Sequence, residues 1–344
     1  MLIREIWGNI FKEVKLRNKY ITTLIKIVIS VSLIYYLLYK IGFGKLIEVY
    51  YEIEFGWIIF ALLLVTVSNL LGVVQWRLLL KSSKVEISYQ KTLNYYFIGL
   101  FFNNFLISLL GGDIFRVYDI SKHSGKNSTA ISTVFLDRLI GLMAMAFLAL
   151  VFGVISVKIF NSGYILFPVS LFFLFLLFVV LFFYFKNFAK KFQSISERIL
   201  PNFIFQKLRE IYNGINYFKN HRMLILLLLL NSIVIQLLRI SSHYVAALSL
   251  NVNELSNISI WYFFIFIPII FIVSLLPISI GGLGVRESMG IVLFSYVGIS
   301  SNLAFSIEFI SYLIGVFSSI PGGIAFAIRK HEKVENYVKE SEIV

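Results

Sequence analysis

No charged side chain occurs between residues 55 and 76, nor between 92 and 112. Each stretch is long enough for a helix to cross the hydrocarbon core of a bilayer, which takes about 20 apolar residues. Further apolar segments lie at 21–39, 139–157, 159–185, 223–244, 255–285, 288–307 and 309–328. Lys26 interrupts the first of these, where its long side chain can snorkel to the surface. Backbone polar groups in lipid must be satisfied within the segment, which favours helices throughout. Composition agrees: 59% of the 344 residues are hydrophobic and 14% charged, against roughly 25% charged in soluble domains. The expected fold is an all-α polytopic membrane helix bundle that uses the whole length, with no separate soluble domain.

Charge sets the expected orientation. Arg4, Lys12, Lys15, Arg17 and Lys19 precede the first segment, and Arg329, Lys330, Lys333 and Lys339 follow the last. Residues 186–222 add eight Lys or Arg against two Glu. Placing all three basic regions in the cytoplasm requires an even number of crossings between them. One segment before Lys186 is then surplus, and 92–112 is the most polar, with Asn94, Asn103, Asn104 and Ser108. It is therefore read as re-entrant, which leaves about eight crossings with both termini cytoplasmic. Residues 1–19 read as an interfacial helix, 20–330 as the transmembrane domain, 186–222 as a cytoplasmic amphipathic hairpin and 331–344 as a tail. Gln75-Trp76-Arg77 closes the second segment as an interface anchor.

Net charge is +13. Because the basic residues flank apolar segments, they point to anionic lipid rather than nucleic acid. Without cysteine, disulfides, thiol catalysis and Cys-bound metals are excluded. His123, His221, His243 and His331 lack metal-ligand spacing, so no metal and no cofactor is expected.

Two glycine-rich breaks carry the chemistry. Gly111-Gly112-Asp113-Ile114-Phe115-Arg116 and Gly281-Gly282-Leu283-Gly284-Val285-Arg286 both read Gly-Gly-x-x-x-Arg. Glycine permits a tight break, and Asp113 is placed to cap a new helix. The free N–H groups of such a helix, with Arg116 one turn on, suit a phosphate or carboxylate. Arg286 and Glu287 open the helix after the second break. Paired broken helices in two halves of a chain point to a transporter site between repeats, making an internal inverted repeat a candidate. Asp113, Asp119 and Asp137 are the only aspartates and cluster with Arg116 and Arg138. Ionisable residues at membrane depth usually face a cavity or one another. Gln236, Arg239 and His243 share one face of the sixth crossing, and Glu308 separates the last two apolar runs. The candidate substrate-binding set is Gly111, Gly112, Asp113, Arg116, Asp137, Arg138, Arg239, Gly281, Gly282, Gly284, Arg286, Glu287 and Glu308. No dinucleotide fingerprint, nucleophile elbow or other catalytic motif is legible.

The motifs in order are Asn103-Asn104 leading to Gly112-Asp113 and Arg116, then Asp137-Arg138 with Gly141, then Pro277, Gly281-Gly282, Gly284 and Glu287. Together they resemble the membrane region of lysylphosphatidylglycerol synthases and their stand-alone, flippase-like relatives, over about residues 15 to 330. The resemblance implies a multi-pass protein of the cell membrane that moves a phospholipid or lipid-linked headgroup between leaflets. The partner would be a membrane lipid with an anionic or phosphate-bearing headgroup. Headgroup phosphate would meet Arg116 and the two Gly-rich helix starts, with Arg239 and Glu308 along the route. The synthase domain is not seen, so lysyl transfer is not expected. Two alternatives stay open: a membrane-embedded transferase using the three aspartates, and a non-catalytic envelope scaffold.

Overall fold

The computed structural model describes residues 53–105, 111–160, 221–251, 258–275 and 281–329, together with Tyr35, Ser279 and most of 170–178. The expected interfacial helix, first crossing, amphipathic hairpin and tail lie outside these residues. Every described element is helical: α1 (Phe55–Ser82), α2 (Tyr89–Phe105), α3 (Asp113–Ser124), α4 (Asn127–Phe160), α5 (Arg222–Leu248), α6 (Ile260–Ser274), α7 (Val285–Ser295) and α8 (Ser301–Ile328). α1, α4, α5 and α8 are long and apolar enough to cross a membrane. They leave large side chains such as Ile59, Leu63, Leu226, Phe317 and Ile324 exposed. A helix in lipid has no reason to bury that face, so these residues mark it.

The contacts give each helix a direction. Glu54 N–H donates to the Ser249 carbonyl, so α1 begins where α5 ends. At the other end of the bundle, Leu79 of α1 packs with Leu136 of α4 and Leu228 of α5. That end carries Lys81, Lys84, Lys91, Lys122, Lys126, Arg222 and Arg329 and is called the basic end. α2 leaves it and α3 returns to it: His123 Nε2 lies 3.0 Å from the Glu86 carbonyl. α6 and α7 do the same from the opposite end, where Phe294 of α7 packs on Phe263 and Phe266 of α6.

The chain thus builds one unit twice, in opposite senses. Long helix, hairpin and long helix follow one another as α1, α2–α3, α4 and again as α5, α6–α7, α8. α1 runs toward the basic end and α5 away from it, so the two hairpins enter from opposite ends. Each hairpin has its own apolar core. Val73, Trp76, Tyr96, Ile120 and Val134 surround the first. Phe263, Phe266, Phe294, Leu303 and Ile307 surround the second.

The hairpin tips meet inside the bundle. Gly281 lies so close to Asn104 that a Cβ there would sit 2.7 Å from the Asn104 carbonyl oxygen. Gly281, Gly282 and Gly284 have φ of +56°, +78° and +82°, a region that side chains rarely tolerate. The break is therefore written in the glycines. Elsewhere glycine serves close packing: Gly112 rests on the Gly99 carbonyl, and Gly322 of α8 on the backbone of Phe97 and Ile98 in α2. Such contacts let helices approach without a hydrophobic drive between them.

The segmentation differs from the sequence expectation at two places. Residues 255–285 and 288–307 read as two crossings, yet α6 stops at Ser274 and α7 turns back. Glycines with positive φ reverse the chain, which hydropathy does not register. Glu308 was expected between two apolar runs but lies within the continuous α8, fully buried.

Gly322→Ala places a methyl against the Phe97 backbone and is expected to destabilise by about 1–3 kcal/mol. Gly56→Ala meets nothing within 4 Å, and is expected to be neutral or to stabilise by up to about 1 kcal/mol. Thermal unfolding of the purified protein in detergent measures both.

Candidate functional site

α3 places Asp113, Arg116 and Asp119 at successive helical spacings on one buried face, while Ile114 and Tyr118 point outward. α4 presents Asp137 and Arg138 to that face. Arg116 Nη1 donates to Asp113 Oδ1 at 3.1 Å, and Nη2 to Asp137 Oδ2 at 2.7 Å. Arg138 holds Asp113 through Nε and Nη2. Two arginines and two carboxylates alternate, so the chain of charges is neutral overall. Arg116 also stacks over the rings of Trp76 and Tyr96, at 4.1 and 4.7 Å, a favourable contact for a desolvated guanidinium. Gln75 extends the network. Its Nε2 donates to Asp137 Oδ1, and its Oε1 accepts from Asn231 and Ser232 of α5. Asp119 pairs with Arg329 at 2.8 Å near the basic end.

This arrangement corrects three expectations. Asp113 does not cap α3: Gly112 is the N-cap residue, and the Asp113 carboxylate faces the arginines. The Gly112 N–H is already used, donating to Asn103 Oδ1 at 2.7 Å. Gln75 and Trp76 are not a lipid-facing interface anchor, since both are buried among the helices. α1 runs on past them to Ser82, which moves its end well beyond the residues where hydropathy placed it.

Beside this network lies a cavity of about 240 Å³, lined from α1, α2, α4, α5, α6, α7 and α8. That falls below the roughly 300–1,000 Å³ of pockets for drug-sized ligands, so it admits only a small group. Asp137, Arg138, Arg239, Arg286 and Glu308 of the candidate set line it. Gly111, Gly112, Asp113 and Arg116 stand behind the wall, and Gly281, Gly282, Gly284 and Glu287 shape the second tip. Gln236, Arg239 and His243, which share a face of α5, all line the cavity. Asn69 and Gln75 line it from α1; Asn69 did not stand out in sequence, and Gln75 was read only as part of an interface anchor. A polar residue on either side of Gly72 in a charge-free segment was the available signal.

The arginines divide into two kinds. Arg116 and Arg138 are paired with carboxylates. Arg239 and Arg286 form no ion pair among the described residues. Arg239 Nη2 has one long contact, 3.4 Å to Asn69 Oδ1. Arg286 lies over the Tyr312 ring at 4.5 Å, with Nε and Nη2 buried and without hydrogen-bond partners. The neighbouring Glu287 acts electrostatically on Arg286 without forming a salt bridge among the described residues; its Oε2 accepts from the Gly284 N–H at 2.7 Å and fixes the start of α7. Two guanidinium groups without a salt-bridge partner among the described residues, on the wall of one cavity, offer an anion donors of the right sign.

A family model described as "Lysylphosphatidylglycerol synthase TM region" matches residues 23–322. A UPF0104 membrane protein of Methanocaldococcus jannaschii is 26% identical over 326 residues, covering 90% of this chain and 95% of that protein. A UPF0104 membrane protein of Pyrococcus horikoshii is 31% identical over 130 residues, or 37% of this chain and 39% of the relative.

Arg116→Ala leaves Asp113 short of one partner and Asp137 with Gln75 alone. It is expected to cost about 3–5 kcal/mol of stability, as breaking a buried pair does. Arg116→Lys restores the charge but cannot span both carboxylates, and is expected to recover only part of the loss. Unfolding temperature and monodispersity in detergent read this out. A fold of unchanged stability in Arg116→Ala would contradict the structural role.

Proposed function

The chain belongs to the family of the lysylphosphatidylglycerol synthase transmembrane region, and on that premise we propose that it moves a lipid with an anionic, phosphate-bearing headgroup between leaflets. The observation that carries the reading is the pair of unpaired arginines, Arg239 and Arg286, facing one central cavity. The headgroup would enter the cavity and the acyl chains would stay in the bilayer. Phosphate would lie between Arg239 and Arg286, with Arg138 alongside. Arg116 then acts by holding the wall rather than by touching lipid. Helices broken at the centre, in two units of opposite sense, favour alternating access around a fixed site.

The basic end would face the cytoplasm of a cell membrane, because positive residues are retained on that side. The other end presents Glu54 and Asn251. The transferase alternative asks the aspartates to hold a metal or act as a base. Asp113 and Asp137 already answer to Arg116 and Arg138, and Asp119 to Arg329. This favours transport over catalysis.

The test is leaflet exchange of labelled lipids in vesicles containing the purified protein. Wild-type protein is expected to exchange anionic phospholipids faster than zwitterionic ones. Arg239→Ala and Arg286→Ala are each expected to slow anionic exchange on the order of tenfold or more, the worth of one hydrogen bond to a charged group, without lowering stability. Unchanged anionic exchange in both variants would overturn the reading.

A further inference from the structure

Glu308 is the cavity's unexplained group. It lies in the middle of α8 with no exposed surface. Neither carboxylate oxygen has a hydrogen-bond partner among the described residues. Gly290 of α7 packs against its side chain so closely that an added Cβ would lie 2.7 Å from Glu308 Cγ. Among the described residues, His243 of α5 is the cationisable group paired with it, Nδ1 to Oε1 at 3.4 Å, without hydrogen-bond alignment. Both residues line the same cavity as Arg239 and Arg286.

A lone buried carboxylate is too costly to persist. Two things can answer that cost here: a cation facing the same cavity, as Arg239 and Arg286 do, or a proton shared with His243. The other charges around it are accounted for. Arg239 lies one turn before His243 on α5. Arg286 and Glu287 come from α7, and Glu287 interacts repulsively with Glu308. Tyr312 lies one turn beyond Glu308 on α8, under Arg286. α6 lines the cavity with Ile267, Ile270, Phe271 and Leu275, none of them ionisable. Asp137, the cavity's other carboxylate, is held by Arg116 and Gln75.

We propose that Glu308 and His243 form a proton-binding site linked to the anion site at Arg239 and Arg286, so that one proton enters with one anionic headgroup. This rests on the reading of the cavity as a headgroup site. In the empty cavity the two arginines repel a proton from the pair, and the Glu308 carboxylate serves as their counter-charge. The three groups then sum to a single positive charge. An arriving phosphodiester takes over as counter-charge and repels the carboxylate, which takes up a proton. The filled cavity again sums to a single positive charge. A low-dielectric chamber keeps its charge through the cycle, and a proton gradient can drive the lipid. Because the filled state holds the extra proton, affinity is high at low pH. It falls as pH rises through the window in which only the filled cavity holds the proton.

The test is calorimetric titration of the full-length protein in neutral detergent with dihexanoyl phosphatidylglycerol, whose phosphodiester keeps one charge throughout. Buffers of different ionisation enthalpy report proton uptake directly. Wild-type affinity is expected to fall about tenfold per pH unit within the window, the slope of one linked proton, with uptake of up to one proton per lipid bound. Glu308→Gln is expected to bind with no pH dependence and no buffer dependence. His243→Gln, which keeps the carboxyl group, is expected to shift the window, and it decides the matter if the Glu308 variant does not fold. Binding by wild type that is indifferent to pH and buffer overturns the coupling and leaves the headgroup site standing. A pH dependence that survives both substitutions overturns the assignment to this pair. No binding at any pH overturns the headgroup reading and the coupling with it.

Discussion

Four helices converge on one guanidinium. Arg116 stands on α3, stacks on Trp76 of α1 and Tyr96 of α2, lies against Gly99 of α2 and pairs with Asp137 of α4. A membrane interior offers no hydrophobic force to press a short polar helix such as α3 into place. Its charged face must instead be answered by fixed partners, and the alternating Arg138–Asp113–Arg116–Asp137 chain supplies them. With α3 held, the first hairpin is held, and with it the tip that meets Gly281 and closes one wall of the cavity.

That anchoring separates salt-bridged charge from charge without a salt bridge. Both kinds of arginine are costly in lipid, so presence alone does not tell them apart. Pairing does. Arg116 has its counter-charges built in and is poorly placed to take a ligand. Arg239 and Arg286 have no salt-bridge partner among the described residues, and both line the one cavity. Their location on α5 and α7, in the second unit, complements the network built by α3 and α4 of the first. The cavity therefore forms where the salt-bridged network of the first unit faces charges of the second that are not salt-bridged to one another.

The inverted pairing of the two units gives the cavity its depth. Each hairpin brings a broken backbone to the centre of the bundle, a course tolerated only where protein shields it. Asn104 donates to Ser319 Oγ and Asn69 to Ser318 Oγ beside the meeting point. These side chains tie α1 and α2 to α8 at the level of the tips. The polar residues that interrupt otherwise apolar helices thus gather at one depth, from both ends of the chain.

Much of this was written in the sequence. Membrane residence followed from charge-free stretches, because burying a polar group in lipid has a large and local cost that a window of residues records. The two glycine breaks and the family followed from motif order, and Arg239, Arg286 and Glu308 were visible as charges out of place. What the sequence left undecided was partnership. Whether Arg116 or Arg239 is free for a ligand depends on carboxylates that reach it from other helices, and linear spacing does not encode that meeting. The second hairpin was hidden for a similar reason: hydropathy averages over a turn whose direction is set by the φ of three glycines. Tertiary structure alone decided which charges cancel, because cancellation is a matter of a few ångströms between segments far apart in the chain.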